Sequence, residues 1–252
     1  MTANRIFSDD NAKAEKAAAF GYYNIIHYLA PADIAGYGDV CSHRSLACTA
    51  ACLGWHSGHA AIGETNNVRE ARLAKTRDFM TDRQNYLVRM VMEIARAKRY
   101  AAGKGLKLCV RLNGSSDIAW EGIRLQPSGR TLLEIFPEVT FVDYTKNPRR
   151  FARPLPPNYH LTFSRSETNE AIALELLERG VNVAVVFAER PLSWRGHVVV
   201  NGDESDLRHL DPRAPRPVTL QSGRYHYFAG YVIGLTPKGS KAKKDSSGFV
   251  VR

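Results

Sequence analysis

The chain has 252 residues, of which 44% are hydrophobic and 24% charged, and its formal net charge at neutral pH is +10. These proportions are ordinary for a globular protein and exclude a wholly disordered chain. No stretch approaches 18 consecutive apolar residues, and the N-terminus lacks the apolar core of a signal peptide, so a transmembrane or secreted protein is not expected. We therefore expect a cytoplasmic protein without a membrane partner.

The first predicted element is a strand, because residues 20–29 are aromatic and β-branched. Residues 31–64 contain Gly, Cys and His with little periodicity, and predict a long loop with a short helix near Cys48. Residues 66–102 repeat apolar side chains every three to four positions, which predicts one long helix, or two with a break near Thr81.

Short apolar segments then alternate with helical ones. The expected strands cover residues 106–112, 139–145, 159–164, 182–187, 197–201 and 225–235. The expected helices lie within residues 121–136 and at residues 167–179. Continuous apolar strands that alternate with helices are typical of parallel sheets.

The predicted fold class is therefore α/β: a partial or full (β/α) barrel with parallel strands and a Cys-rich loop after the first strand. An open doubly wound sheet is the alternative. We expect a single barrel-like domain at residues 1–235. Residues 236–252 are rich in Gly, Ser and Lys and predict a basic, flexible tail.

The positive charge is concentrated in two segments. Residues 65–104 carry ten basic and four acidic side chains, and residues 236–252 carry five and one, while the rest of the chain is neutral in sum. Such a basic stripe can bind the phosphate backbone of a nucleic acid, although a solvated helix face has the same composition. The predicted nucleic-acid-binding residues are Arg69, Arg72, Lys75 and Arg77.

Polar side chains gather just past the predicted strand ends, where parallel α/β folds bind their ligands. Asp143 and Asp117 are the predicted catalytic residues, because an Asp at this edge can accept a proton or act as a nucleophile. The predicted cofactor-binding residues are Asn113, Ser116, Ser164, Arg165, Glu167, Asn201 and Asp203. Residues of these types also cap helices, which is the alternative role for each.

Three of the four cysteines form a compact motif, C-x6-C-x3-C, at Cys41, Cys48 and Cys52. The fourth, Cys109, lies inside a predicted apolar strand, where a buried cysteine without a ligand is expected. Structural disulfides are rare inside cells, so this density favours a metal site or a catalytic thiol. Thiolates suit iron–sulfur clusters and zinc. Two arrangements are compatible with the motif: a 4Fe–4S cluster with one open iron, or a zinc site closed by His56 or His59.

The position of this motif, after the first strand and before the first long helix, resembles that in radical S-adenosylmethionine enzymes. There the three cysteines hold a cluster on a partial barrel, and the free iron binds the amino acid end of the cofactor. The usual spacing in those enzymes is C-x3-C-x2-C, and RLNGSSD stands here where they carry a Gly-Gly-Glu motif. The resemblance implies a 4Fe–4S cluster, S-adenosylmethionine and an external reductant.

A second resemblance covers most of the chain. It rests on the motifs N11-x-K13, YYNIIHYLAP, VREARLAKTRDF, RLNGSSDIAWE, FVDYTKNP, LTFSRSETN and VNGDESDLRHLDP, together with the cysteine motif. These are similar to an uncharacterised phage and plasmid family that is labelled gene product 88-like. That resemblance implies a phage, prophage or plasmid origin and carries no established activity.

We therefore expect an iron–sulfur enzyme of the radical S-adenosylmethionine kind, acting on an unknown substrate for which the basic helix suggests nucleic acid or a nucleotide. Two alternatives stay open: a zinc-containing barrel enzyme that modifies nucleic-acid bases, and a nucleic-acid-binding protein without enzymatic activity.

Overall fold

The computed structural model describes residues 5–9, 16–63, 66–213, 218–219, 225–226 and 229–252, with the backbone alone at 218–219 and 225–226. Its strands are β1 (Phe7–Ser8), β2 (Tyr22–His27), β3 (Lys107–Arg111), β4 (Thr140–Thr145), β5 (Tyr159–Ser164), β6 (Val183–Phe187), β7 (Ser193–Trp194), β8 (His197–Asn201), β9 (Val218–Thr219), β10 (Tyr225–His226), β11 (Val232–Leu235) and β12 (Val250–Val251). Its helices are α1 (Leu46–Ala50), α2 (Leu53–His56), α3 (Asn67–Thr81), α4 (Arg83–Gly103), α5 (Leu132–Ile135), α6 (Glu170–Glu178) and α7 (Ser240–Lys243). Single 3-10 turns cover Gly58–Ala61, Trp120–Gly122, Pro148–Phe151 and Arg208–Leu210.

Ten strands form one central sheet, in the order β1-β2-β3-β4-β5-β6-β11-β8-β7, with β12 added beside β6. The pairs from β2 to β8 along this path are parallel, and the outermost pairs, β1 with β2 and β7 with β8, are antiparallel. The mixed α/β class with a mostly parallel sheet is therefore confirmed. A closed barrel is not confirmed, because β1 and β7 end the path of paired strands that the structure describes.

Helices α3 and α4 cover one face of the sheet. The predicted break near Thr81 is confirmed, since α3 ends at Thr81 and α4 begins at Arg83. The Asn66 side chain accepts a hydrogen bond from the Arg69 backbone N–H and so caps α3. The buried side chains of α4 recur at helical spacing and pack against β2 and β3: Tyr86, Leu87, Met90, Ile94 and Ala101. Full burial of each large apolar side chain contributes about 1.5–3 kcal/mol.

The opposite face of the sheet is covered by the polar motif that follows β8, residues 202–212. Within this motif Leu207 is fully buried and packs with Cys109 of β3 and Val142 of β4. Beside it, Arg111 forms an ion pair with Asp206 at 3.3 Å. The expectation that Cys109 is a buried strand cysteine is confirmed, since it is 0% exposed.

Several predicted elements need correction. The cysteines follow β2, the second strand of the chain, and the expected loop over residues 31–64 contains α1, α2 and a 3-10 turn. The short helix expected within residues 121–136 is, by contrast, confirmed as α5, and the 3-10 turn Trp120–Gly122 precedes it. The last expected strand is divided into β10 and β11, and residues 227–228 lie outside the described residues.

The segment 236–252, predicted as a flexible tail, differs most from expectation. It contains α7 and β12, and β12 pairs with β6 through Val250 and Val186. Its Gly, Ser and Lys residues occupy turns and exposed helix positions, while Ala242 and Val250 are buried. Helices that could cross a bilayer were sought in the described residues, and none is long and apolar enough.

Candidate functional site

The cysteines lie in a segment, residues 41–62, that rests on the loops at the carboxyl ends of the parallel strands. The Cys41 thiol donates to the Ser115 carbonyl oxygen after β3, at 3.6 Å. Gly54 packs so closely on Ser115 that any Cβ at position 54 would overlap the serine side chain. We call residues 41–62 the cysteine segment.

A second anchor comes from the loop after β5. The Glu167 carboxylate accepts hydrogen bonds from the Ser45 hydroxyl at 2.8 Å and from the Ala47 backbone N–H at 3.1 Å. Ser45 is the N-cap of α1, and its side chain also accepts from the Cys48 backbone N–H. Glu167 thereby fixes the start of the helix that carries Cys48.

The three thiols of the segment lie close together, and each of these cysteines is half-buried. All four cysteines of the chain are free thiols. Burial raises the pKa of Cys41 to about 12, and the charges of Cys52 and Cys48 raise it further. Burial and the charge of Cys48 likewise raise the pKa of Cys52. The three sulfurs therefore lie close enough to interact electrostatically.

Positive groups surround Cys52. Its thiol receives a hydrogen bond from the Gly54 backbone N–H, which lowers its pKa against the effect of burial, and Lys146 and Arg72 lower it further. Arg72 reaches this position from α3, where it donates to the Gly54 carbonyl oxygen and stacks 4.7 Å above the Tyr28 ring. These groups favour negative charge on the Cys52 sulfur, although burial outweighs them and the pKa of Cys52 is raised overall.

Polar groups from three successive loops line the base of the cysteine segment. The Asp117 carboxylate accepts from the Lys146 backbone N–H at 2.8 Å and lies 3.3 Å from Arg150, and its charge raises the pKa of Cys41. The Lys146 ammonium donates to the Ser164 hydroxyl at 2.9 Å. Two predicted site residues, Asp117 and Ser164, are thus brought to the cysteines. Lys146, which follows the strand of Asp143 at that same edge, joins them there.

No single metal ion has a ready-made site in the described part of the chain. No three His, Cys, Asp or Glu side chains there converge closely enough to hold one ion. His56, an expected zinc ligand, lies beside the Lys241 ammonium at 3.5 Å, and burial and that charge lower its pKa. His59, the other candidate, is exposed in the 3-10 turn Gly58–Ala61.

Asp143 was expected at the rim of the sheet, and the structure places it inside. It is 0% exposed, and its carboxylate accepts from the Asn113 backbone N–H at 2.6 Å and the Tyr159 hydroxyl at 2.8 Å. Burial raises the pKa of Asp143 to about 7, although these hydrogen bonds favour the anion. This carboxyl fixes the Asn113 loop and does not face a ligand at the edge.

Asn113 and Ser116, expected to bind a cofactor, shape the loop after β3. The Asn113 side-chain oxygen accepts from the Ser116 hydroxyl, the Ile118 backbone N–H and the Trp120 indole N–H at 2.8–3.1 Å. Asn113 is only 2% exposed. These contacts hold Ser115 and Asp117 in place against the cysteine segment.

The other expected cofactor-binding residues also contact the protein itself. Arg165 donates to the carbonyl oxygens of Gly248 and Phe249 and pairs with Glu170 at 2.6 Å. Asn201 accepts from Arg190 at 2.7 Å. The Asp203 carboxylate follows β8, where it binds Thr236 and Lys238.

The predicted basic stripe is not a continuous exposed surface. The Arg69 guanidinium donates to the Ala60 carbonyl oxygen at 2.7 Å and stacks on Trp55, and Arg72 supports Gly54. Lys75 is 5% exposed and donates to the Ile6 carbonyl oxygen at 3.2 Å, whereas Arg77 is exposed beside Asp78. Three of the four predicted phosphate-binding residues therefore make contacts within the protein, because α3 lies under the cysteine segment and β1.

Comparison with known proteins supports the second resemblance seen in the sequence. A sequence profile of the family described as gene product 88 matches residues 5–252, which is nearly the whole chain. Asn11 and Lys13, quoted for this resemblance, lie in the match but outside the described residues. No curated protein and no solved structure matches the chain. Because the profile covers far more than half of the sequence, the chain belongs to the gene product 88 family.

Proposed function

We propose that this protein binds a 4Fe–4S cluster through Cys41, Cys48 and Cys52 at the carboxyl edge of its parallel sheet. The observation that carries the proposal is the position of three half-buried thiols at that edge, where the charge of Cys48 acts on both Cys41 and Cys52. Three neutral thiols could pack there without a ligand, but the positive groups around Cys52 favour bound, negatively charged sulfur. Hydrogen bonds to sulfur and local charge are also what tunes an iron–sulfur cluster.

The donor set suits a cluster better than one zinc ion. A structural zinc site needs four ligands at about 2.0–2.3 Å from a single point, and the described side chains do not converge in that way. A cluster spreads its three cysteines over three separate irons, so the sulfurs need not meet at one point. His56 lies beside Lys241 and is not required as a ligand.

The chain's own residues have defined tasks in this proposal. Arg72 and Lys146 place positive charge near Cys52, which offsets the negative charge of bound thiolates. Glu167 holds the start of α1 and so sets the position of Cys48. Asp117 and the Ser164 hydroxyl hold Lys146 in position from the two neighbouring loops.

We also propose a radical S-adenosylmethionine enzyme as the reaction class. When bound, such a cluster and cofactor together supply a carbon-centred radical that removes hydrogen from a substrate. The strand order supports a partial barrel for this fold, because β2 to β6 follow one another without the reversal of a doubly wound sheet. All seven expected cofactor-binding residues make contacts within the protein, so no side chain is assigned to S-adenosylmethionine.

The test is anaerobic reconstitution of the wild-type chain and of single Cys→Ser variants at positions 41, 48 and 52. We expect the wild type to develop the broad visible absorption of a 4Fe–4S cluster and each variant to lose most of it. Cys109→Ala is the matched control, because Cys109 is fully buried in β3 and should not affect the spectrum. After reduction, the wild type should cleave S-adenosylmethionine and the three variants should not.

The outcomes separate the parts of the proposal. Equal spectra in the three serine variants and the wild type would contradict ligation by these cysteines. A cluster without cleavage of S-adenosylmethionine would retain the iron–sulfur assignment and remove the reaction class.

A further inference from the structure

The C-terminal segment, residues 236–252, carries positive charge that the rest of the protein neutralises at Lys238, through Asp203 at 2.9 Å, but not at its other lysines. Its one acidic residue, Asp245, accepts hydrogen bonds from the Ser247 hydroxyl at 2.6 Å and the Val250 backbone N–H at 3.0 Å. These bonds lower the pKa of Asp245 against the effect of burial, so its carboxylate is ionised and directed into its own loop. Among the described residues, no carboxylate forms an ion pair with Lys241, Lys243 or Lys244, and all three are exposed.

Two pockets flank helix α7. One, of about 720 Å³, lies at the carboxyl ends of β6 and β11 and is lined by Lys238, Lys243 and Arg252. The other, of about 520 Å³, lies between α7 and α1. Both volumes lie within the range of about 300–1000 Å³ typical of ligand pockets. Basic side chains therefore line the pockets on both sides of this short helix.

The second pocket adjoins the cysteines. One wall is apolar and comes from α1 and the residue after it, through Leu46, Ala47, Ala50 and Ala51. The opposite wall includes Lys241 and Lys244. Leu46 is 90% exposed beside this wall. Because α1 carries Cys48, and Cys52 follows Ala51, a ligand in this pocket lies next to the proposed cluster.

The segment is held firmly enough to form a binding surface. Arg165 binds the carbonyl oxygens of Gly248 and Phe249, and β12 extends the sheet beside β6. At the other end, Gly239 has a φ of +82°, and a Cβ there would approach the His56 carbonyl oxygen to 2.9 Å. Only glycine allows the chain to pass so close to the cysteine segment in this conformation.

We propose that this surface binds single-stranded nucleic acid. The exposed lysines and Arg252 suit a phosphate backbone that crosses α7, because each contact releases a bound counterion from the strand. The apolar wall of small side chains suits a planar base, which a single strand can present and a paired duplex cannot. That the strand is also the substrate rests on the proposed function; the binding itself does not.

The experiment is a fluorescence anisotropy titration of the full chain against labelled oligothymidylate over a series of salt concentrations. The variant K241Q/K243Q/K244Q should bind at least about tenfold more weakly, and its salt slope should fall by about 2, since each single-strand phosphate contact contributes about 0.7. The matched control R96Q/R99Q/K104Q removes three exposed charges, two from α4 and one from Lys104 directly after it. It should keep the affinity and the slope of the wild type.

Several outcomes would overturn this assignment. They are an equal loss in both triple variants, no loss in K241Q/K243Q/K244Q, equal affinity for a duplex of the same length, or tighter binding to anionic phospholipid vesicles. The same titration with the C41S/C48S/C52S variant separates the two proposals. If this variant binds the oligonucleotide but takes up no iron, the surface assignment holds without the cluster. If the protein takes up iron but does not bind the oligonucleotide, only the cluster assignment holds.

Discussion

Two parts of the molecule carry the positive excess of the sequence, and they use it in opposite ways. On α3, Arg69, Arg72 and Lys75 donate to backbone carbonyl oxygens of the cysteine segment and of Ile6. In the C-terminal segment, Lys243 and Lys244 point to solvent and line pockets. The first group stabilises the fold around the cysteines, and the second is available to a ligand.

The difference shows that a charge count does not locate an anion-binding surface. Long basic side chains can bury their stems and satisfy carbonyl oxygens that a loop leaves without partners. The cysteine segment has such carbonyl oxygens, at Gly54, Trp55 and Ala60, directly beside α3. The helix α7 has only one turn, and among the described residues its lysine side chains donate to no backbone carbonyl oxygen. Variants that separate charges facing the protein from charges facing solvent test this comparison.

The largest effect is expected at Asp143, the most deeply buried charge of the site region. Its folded-state pKa of about 7 lies above its unfolded value near 3.8. The folded protein therefore holds a proton at Asp143 more tightly than the unfolded chain does. The contribution of Asp143 to the free energy of unfolding is largest below pH 4 and declines as the pH rises to 7. The loss is at most about 4 kcal/mol, at about 1.4 kcal/mol per pKa unit.

Urea unfolding of the wild type and of Asp143→Asn between pH 4 and 8 measures this loss. The variant should show a flatter dependence on pH over that interval, since its amide does not titrate. Parallel curves for the two proteins would contradict a raised pKa at this position.

Lys75 should show the next largest effect. Burial and the charge of Arg72 lower its pKa from 10.5 to about 8. Between these values the unfolded chain holds the proton more tightly, so stability rises with pH by up to about 3 kcal/mol. The difference in unfolding free energy between wild type and Lys75→Met, followed from pH 7.5 to 10.5, isolates this contribution. Lys243→Met is the matched control. If both variants lose the rise in stability with pH equally, Lys75 is not the source of that rise.

Arg72→Met should destabilise the protein by about 2 kcal/mol, because it leaves the Gly54 carbonyl oxygen without its charged donor and removes the stacking on Tyr28. Chemical denaturation measures the loss. The exposed arginine Arg99 provides the comparison, and Arg99→Met should change stability far less. Equal losses in the two variants would show that Arg72 does not support the cysteine segment.

The smallest effect on stability is expected for K241Q/K243Q/K244Q. Exposed lysines without ion pairs contribute little to folding, so the change in unfolding free energy should stay within about 0.5 kcal/mol. Thermal and urea unfolding check this expectation. A loss of several kcal/mol would mean that α7 supports the fold, and the comparison between the two basic regions would fail.

The sequence predicts the central strands and the long helices of this fold well. Continuous apolar segments such as those of β4 and β6 are buried on both faces, so their hydrophobic pattern marks them directly. The break between α3 and α4 is also visible, and so is the buried position of Cys109. The additional strands β1, β7 and β12 are only two residues long, and hydrogen bonds to distant strands define them.

The candidate site was predicted less completely. The cysteine motif, Asp117 and Ser164 are found from spacing and from their place after strands. The inward positions of Asp143, Arg69 and Lys75 depend on which loop packs over them, and a single sequence does not contain that information. Polar residues at this edge differ in role. Asn113, after β3, completes its own loop, whereas Ser164, at the end of β5, accepts a hydrogen bond from Lys146 beside the cysteine segment.

The central claim is that Cys41, Cys48 and Cys52 hold an iron–sulfur cluster. Its most direct test is metal and acid-labile sulfide analysis of the wild-type protein isolated under strictly anaerobic conditions. The account predicts close to four irons and four sulfides per chain, as a 4Fe–4S cluster requires. One tightly bound zinc per chain, or a metal-free protein that takes up no iron on reconstitution, would contradict it.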